Sequence, residues 1–312
     1  MSTIQKLLIA AVSAAAIASA CGSANAAEAK TIGLAVANLQ ANFFNQIKQA
    51  VEAQGAEKGL KVITVDAKGD AATQVSQIQD LLAQNIDALI YIPAGATAAA
   101  VPVKAAKAAN IPVVNIDRNA EGAPGDTFIA TDSVASARQV CDYILKQAGG
   151  KGEMLIIHGQ KGTTPEVDRT KGCSEALAKY PDVKVVGELW SDQWHQDEGF
   201  KLASDLLQAH PNASIIFGQA DALALGAAQA VKVANLGHRI WIAGFDGDTA
   251  ALEALKNGVF DVTATQQTQK MGRMGVDAAI ALAKGEKLPP VQLQDATLTT
   301  KENVDAFIKN HP

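Results

Sequence analysis

The sequence is poor in aromatic residues, 4% of its 312 positions, so the few that fall beside polar motifs are informative. It has three cysteines, too few for a disulfide scaffold. Neither sign of charge dominates: 27 basic residues stand against 32 acidic ones, net −5. A nucleic-acid role therefore has no electrostatic footprint. The five histidines are scattered and give no metal-ligand spacing. No Gly-x-Ser-x-Gly elbow occurs. Gly159-Gln160-Lys161-Gly162-Thr163 lacks the spacing of a phosphate-binding loop. The longest apolar run near the N-terminus, Leu7 to Ala20, is about 14 residues, short of the ~20 that a membrane-spanning helix needs. These absences leave no basis for a cofactor or for a nucleophilic or metal-dependent enzyme.

What is present is an apolar, α/β-patterned chain. Hydrophobic residues make up 48% and charged residues 19%, which excludes a disordered chain. The length suits two domains. Lys6 is the only charge before Glu28, and Ala24-Asn25-Ala26 follows the apolar run as a small-x-small cleavage site. Residues 1–26 therefore read as a cleavable signal peptide and the mature protein as exported, to a bacterial periplasm. Cys21 follows Ala18-Ser19-Ala20 without the large aliphatic residue that a lipidation box carries. Cys141 and Cys173 remain after cleavage, in an oxidising compartment. Each falls within a predicted helix of the second half; a disulfide and two buried thiols both fit.

Short apolar strands alternate with longer helical patterns. Strands are predicted at Ile32–Ala37, Val62–Asp66, Ala88–Ile92 and Val113–Ile116, with helices at Phe44–Lys58, Thr73–Gln84 and Ala98–Ala109. The second half gives strands at Met154–Ile157, Val183–Leu189, Ser214–Phe217 and Ile240–Phe245. Its helices are at Glu166–Lys179, Gln196–Ala209, Leu223–Ala234 and Thr249–Lys256. Strands apolar throughout are those covered on both faces by helices, and the alternation argues a parallel doubly wound sheet. The halves also resemble each other. Asp80-Leu81-Leu82-Ala83-Gln84 before one strand matches Asp205-Leu206-Leu207-Gln208-Ala209 before another, and Ala109-Asn110 matches Ala234-Asn235. The offset is 125 positions at both ends (80 to 205, 110 to 235). Each copy then gives a strand ending in aspartate, Ile116-Asp117 and Phe245-Asp246. Two lobes of like topology are expected, with crossings near Thr131-Asp132, Thr265-Gln266 and Asp295-Thr297.

Ligands of doubly wound sheets bind beyond the carboxyl ends of the strands. Asp117-Arg118 and Asp246 stand there, one set in each lobe, with Arg169 opening a helix after the loop Gly159–Thr164. Aspartate only accepts hydrogen bonds and arginine only donates them. A sugar hydroxyl does both, and charge-assisted bonds to it are strong. Phe43-Phe44, Trp194 and Phe245 lie beside these positions, offering flat walls to the CH face of a sugar. Two carboxylates balance two guanidinium groups, so a charged ligand would leave an uncompensated charge in the site. A neutral ligand is expected.

Taken together, these landmarks resemble periplasmic sugar-binding proteins of the ribose/galactose-binding type, the receptors of ABC importers. They are Asn42-Phe43-Phe44, Asn110-Ile111-Pro112-Val113 leading to Asp117-Arg118, Arg169, Leu223-Ala224-Leu225-Gly226, Gly244-Phe245-Asp246-Gly247 and Gln266. The resemblance covers nearly all of residues 31–300. It implies the periplasmic binding protein-like I fold: two similar doubly wound parallel-sheet lobes joined by a three-segment hinge. The lobes would be 27–131 with 267–295, and 132–266 with 296–312. It implies ligand contacts from Asn42, Phe43, Phe44, Asp117, Arg118, Arg169, Trp194, Ala220, Asp246 and Gln266, with Trp194 where the ribose type has a stacking phenylalanine. The implied partners are a neutral sugar or polyol, a membrane permease and, in some members, a chemoreceptor, the receptor itself being a monomer.

The chain departs from the ribose pattern at Ala37, Ala41 and Ala220, where polar contacts are replaced by methyl groups. Unpaired ligand hydroxyls cost about 1–3 kcal/mol each, so a larger ring, a deoxy sugar or a polyol fits as well as ribose. Asn38, Asn42 and Gln219 are the candidates to compensate. An exported sugar-processing enzyme and a receptor for a furanosyl signalling molecule are the rival readings.

Overall fold

The computed structural model describes residues 29–311. The expected leader, its cleavage site and Cys21 lie outside the described residues. Among the described residues no helix is long and apolar enough to cross a membrane.

The first half runs β1 (Thr31–Val36), α1 (Asn42–Glu57), β2 (Lys61–Asp66), α2 (Ala71–Ala83), β3 (Ala88–Tyr91), α3 (Ala100–Ala108), β4 (Val113–Ile116) and β5 (Thr127–Thr131). The chain then crosses into α4 (Ser133–Gln147), β6 (Lys151–His158), α5 (Thr164–Leu177), β7 (Asp182–Trp190), α6 (Gln196–Ala209), β8 (Ile215–Gly218), α7 (Asp221–Ala234), β9 (Trp241–Ala243), α8 (Thr249–Lys256) and β10 (Thr263–Thr265). It returns through α9 (Thr268–Ala283) and β11 (Val291–Gln294), and crosses again into β12 (Thr297–Thr299) and α10 (Val304–Lys309). The strands and helices foreseen from the alternation are present, most with ends shifted by one to three residues; β5, β10, α9, β11, β12 and α10 are additions to it, and α4 is the helix expected around Cys141.

Beside the two-stranded β10-β12 pair, the two large sheets have the orders β11-β5-β4-β3-β1-β2 and β7-β6-β8-β9. Every pairing within them is parallel. The first four strands of each half thus take the same order, second-first-third-fourth, which is the structural form of the sequence repeat. Strand alternation divides the apolar residues between two cores in each lobe. Leu34 and Val36 pack under α1 and α9, whereas Ala35, Leu89 and Tyr91 pack under α2 and α3. Likewise Leu155 and Ile157 meet α6 and α7, while Met154 and Ile156 meet α4 and α5.

Helix ends and contacts are specified locally. Asp70 caps α2 by accepting from the Thr73 N–H at 2.5 Å, and Asp132 caps α4 by accepting from Ala135 N–H at 3.0 Å. Such caps contribute about 1 kcal/mol each. Asp132 therefore starts a helix at the very point where the chain leaves the first sheet. Glycine lets helices approach: a Cβ on Gly172 would lie 2.3 Å from Val134 O of α4, and one on Gly226 would lie 2.2 Å from Gln196 O of α6. Beside Gly172, Cys173 is bonded to Cys141, their Cα atoms 5.3 Å apart. Of the two cysteine states left open by the sequence, the structure has the disulfide.

Candidate functional site

The carboxyl ends of both sheets face one cavity of about 720 Å³. It lies where the strand order reverses in each lobe, the place at which doubly wound sheets bind ligands. Its walls are the start of α1, the turn after β4, α5, the loop after β7, and the segments after β8 and β9. Asn42, Phe43, Phe44, Asp117, Arg118, Arg169, Trp194, Ala220 and Asp246 all line it. Hydrogen bonds join the lobes around this space: Asn38 Nδ2 to His195 Nε2 at 3.0 Å, Asn42 Nδ2 to Asp248 Oδ1 at 3.1 Å, Arg118 to Gln160 Oε1 at 3.2 Å, and the Asn119 N–H to Thr164 Oγ1 at 3.0 Å.

Both arginines are held from behind. Arg118, 4% exposed, donates to the carbonyls of Pro93 and Ala94 at 3.0 and 3.1 Å. Its guanidinium lies 5.0 Å from the Phe44 ring centre, and its Nε is 3.7 Å from Asp117 Oδ2. Arg169, 3% exposed, donates to the Gln219 carbonyl at 2.5 Å and pairs with Asp246 Oδ1 at 3.2 Å. It also stacks on Phe245 at 3.9 Å. Trp194 sits between the two guanidinium groups, 5.8 Å from Arg118 and 5.5 Å from Arg169. Among the described residues, the Nε atoms of both arginines and Nε1 of Trp194 are buried without a hydrogen-bond partner, a costly arrangement. Asp117, Trp194 and Asp246 have φ of 62°, 65° and 134°, a region that side-chain-bearing residues avoid. Strained backbone of this kind clusters at ligand sites.

Several sequence expectations need adjustment. Arg169 is not at the start of its helix but within α5, which begins at Thr164. Gln266 is fully buried and stands behind the cavity: its Nε2 donates to Asp246 Oδ1 at 2.7 Å and its Oε1 accepts from Thr131 Oγ1 at 2.5 Å. Thr131 and Gln266 are on two of the chain crossings, so this chain of bonds ties the cavity to the interlobe segments. Gln219 does not compensate for the alanines. Its Oε1 accepts from Gly159 N–H at 3.0 Å and its Nε2 faces Thr170 Oγ1 at 2.8 Å. Asn38 is likewise engaged, with Gln40 N–H and His195. Ala41 and Ala220 line the cavity, whereas Ala37 lies behind it, beside Asn38 and Trp194.

The charge balance counted from the sequence omits Asp248 and Glu253, which also line the cavity. Asp248 was legible as the second acid of Asp246-Gly247-Asp248, whose glycine has φ 79° and turns both acids into one region. Burial pushes the carboxyl groups of Asp117, Asp246 and Asp248 upward, against the pull of Arg118 and Arg169 on Asp117, of Arg169 on Asp246, and of the Asn42 hydrogen bond on Asp248. Burial also lowers Arg118 to about 10. The lining thus holds more acids than the two that the sequence count balanced against two arginines.

Asp221, which opens α7 beside Ala220, is structural. Fully buried, it accepts from the N–H groups of Gly247 and Asp248 at 2.7 and 2.9 Å and from Thr263 Oγ1 at 2.6 Å. Burial, aided by the charge of Asp248, raises its pKa to about 7. A carboxyl raised in the folded state contributes stability that is full below its unfolded pKa and lost as pH rises through the folded value. The urea midpoint of the ligand-free protein should therefore fall between pH 6 and pH 8, by the equivalent of about 1–1.5 kcal/mol from this residue. In Asp221→Asn the fall should shrink; an unchanged or reversed slope would exclude this assignment.

Comparison with known proteins agrees with this architecture. The family model described as periplasmic binding protein domain matches residues 32–287. The ribose import binding protein of Bacillus subtilis (strain 168) is 32% identical over 258 residues, 83% of each chain. The xylitol-binding protein of Mycolicibacterium smegmatis is 32% identical over 297 residues, 93% of this chain and 84% of that protein. An ABC transporter solute binding protein from Bacillus halodurans, solved with bound myo-inositol, superposes with a TM-score of 0.84 at 26% identity, covering 90% of this chain and 98% of that one.

Proposed function

The chain belongs to the periplasmic-binding-protein domain family, and from that membership we propose that it is the substrate-binding receptor of an ABC importer for a neutral monosaccharide or polyol. The observation that carries the reading is one cavity in which the buried carboxyl groups of Asp117 and Asp246, joined by Asp248, and the buried, braced guanidinium groups of Arg118 and Arg169 surround a space walled by Phe44 and Trp194. Carboxylates accept hydrogen bonds from ligand hydroxyl groups, while the N–H groups of Arg118, Arg169 and Trp194 that have no partner among the described residues suit hydroxyl oxygens. The rings take the apolar face of the ligand. No bond in the ligand need be broken, in keeping with a family of binding proteins.

Asp117 and Arg118 grip from the first lobe, Arg169 and Asp246 from the second, and Gln266 keeps Asp246 in place. A ligand that touches both lobes binds the closed form better than the open one, and that difference in affinity drives closure. The crossings at 131–132, 265–267 and 294–297 are the hinge. The first 26 residues are the export signal, and the closed receptor delivers its ligand to a membrane permease.

A thermal-shift screen tests the reading. The mature protein, unfolded and refolded to remove bound ligand, is heated with pentoses, hexoses, deoxy sugars and polyols, including ribose, xylitol and myo-inositol. A ligand at 100 times its dissociation constant stabilises by about 2.7 kcal/mol. One compound that shifts the midpoint and is recovered unchanged is the expected result. Consumption of the compound would point instead to an enzyme, and no shift with any neutral compound would sink the sugar reading.

A further inference from the structure

We infer that Glu198 is a positioning residue that fixes Trp194 in the cavity wall, a role that rests on the reading of that cavity as a sugar site. Glu198 is the third residue of α6. In sequence it reads as an ordinary acid in the first turn of a helix. In the structure its carboxylate gathers four donors from the loop that precedes the helix. Oε2 accepts from Ser191 Oγ at 2.5 Å, from Gln193 N–H at 3.0 Å and from His195 N–H at 3.1 Å. Oε1 accepts from Asp192 N–H at 3.1 Å. Ser191 Oγ in turn accepts from Trp194 N–H at 2.6 Å. One side chain thus ties down, directly or through Ser191, every residue from Ser191 to His195.

The loop needs such a tether. Trp194 has φ 65°, a conformation that a bulky residue does not hold unaided. Among the described residues its indole N–H meets no partner that would anchor it. The ring instead fills a place open only because residue 159 is glycine: a Cβ there would fall 1.7 Å from a ring carbon. The ring's position between Arg118 and Arg169 is therefore set by the backbone turn, and the turn is set by Glu198. The carboxylate is suited to this. Burial opposes its charge, but the Ser191 hydroxyl and the three backbone N–H groups outweigh burial and lower its pKa. Helix N-termini also favour negative charge. The loop ends at His195, whose Nε2 meets Asn38 of the other lobe at 3.0 Å, so the same carboxylate steadies an interlobe contact.

A residue that only capped α6 would affect the helix without singling out Trp194. The sequence has three tryptophans, at 190, 194 and 241, so single-tryptophan reporters separate the two roles. The mature, ligand-free protein with W190F and W241F reports on Trp194 alone; with W190F and W194F it reports on Trp241. In the first background Glu198→Ala should raise acrylamide quenching roughly two- to threefold, as expected for a locally opened loop. Glu198→Gln, which keeps one acceptor oxygen and the side-chain volume, should give an intermediate rise. Trp241 quenching should stay unchanged in both. Unchanged Trp194 quenching, or an equal rise at Trp241, would overturn the assignment. If the alanine variant does not fold, the glutamine variant decides by the same criteria. No ligand enters the measurement, so failure of the sugar reading in the thermal screen and failure of this assignment remain distinct.

Discussion

Arg169→Met will abolish ligand-induced stabilisation and weaken the ligand-free protein by about 3–5 kcal/mol, the cost of stranding a buried charge. Arg169 is buried and does three things at once. It pairs with Asp246 at 3.2 Å, donates to the Gln219 carbonyl, and covers the face of Phe245 at 3.9 Å. Methionine keeps the apolar contact and removes the charge. Asp246, already pushed up by burial and by Asp248, Asp221 and Asp117, then loses its one close cation. Taking up a proton relieves it, so the stability loss should be smaller at pH 5 than at pH 8. The double variant Arg169→Met/Asp246→Asn removes both charges. It should recover most of the stability while binding stays lost, because removing a buried pair together costs far less than breaking it. Urea unfolding and titration with the ligand from the thermal screen measure the two effects separately. Retained binding in Arg169→Met would exclude the proposed grip, and a double variant no more stable than the single one would exclude the charge-pair account.

Removing the disulfide has the other large effect. Cys141 and Cys173 are 32 residues apart in sequence. Releasing a loop of that length restores unfolded-state entropy worth about 3–4 kcal/mol at 25 °C. Cys141→Ala/Cys173→Ala should lower stability by at least this amount, because both side chains are buried between α4, α5 and the second sheet and their loss leaves a small cavity. Alanine is the right probe, since serine would bury an unpaired hydroxyl. Sugar affinity should change little: the bond lies on the outer helical layer of the second lobe and the cavity at the strand ends. Chemical unfolding of the oxidised protein and the variant measures the first effect. A loss below about 1 kcal/mol would mean that the bond does not constrain the unfolded chain as the loop-closure relation requires.

Much of this molecule was readable in the sequence for identifiable reasons. Parallel strands covered on both faces are apolar runs, so β1, β3, β4, β6 and β8 stood out. Helices with an apolar stripe and a clean stop gave α6 and α8 with correct ends. The conspicuous polar residues at strand ends, Asp117, Arg118 and Asp246, had to face a shared space or each other; in the structure all three line one cavity, and Asp117 lies beside Arg118. By contrast β10 and β12 are three residues each and owe their existence to pairing with each other, in the register Thr263 with Thr299. No local pattern announces such strands. The first of the two readings for Cys141 and Cys173 could not be chosen over the second from spacing, since only the side-by-side packing of α4 and α5 brings them together.

The sequence by itself determined the fold class, the twofold internal likeness, and the residue types that must meet at the strand ends. Those properties follow from local periodicity and from the insolubility of unpaired charge in an apolar core, both of which each segment carries with it. Tertiary structure alone decided which polar residues point into the cavity and which serve behind it. Gln219, Asp221 and Gln266 share the chemistry of ligand contacts, yet their bonds are made with the protein. Asp248 joins the cavity through a glycine turn, and Glu198 commands the loop of Trp194 from one turn into a helix. A side chain's partner depends on distances between segments far apart in the chain, and those distances are set only when the sheets, the helices and the crossings between them have packed.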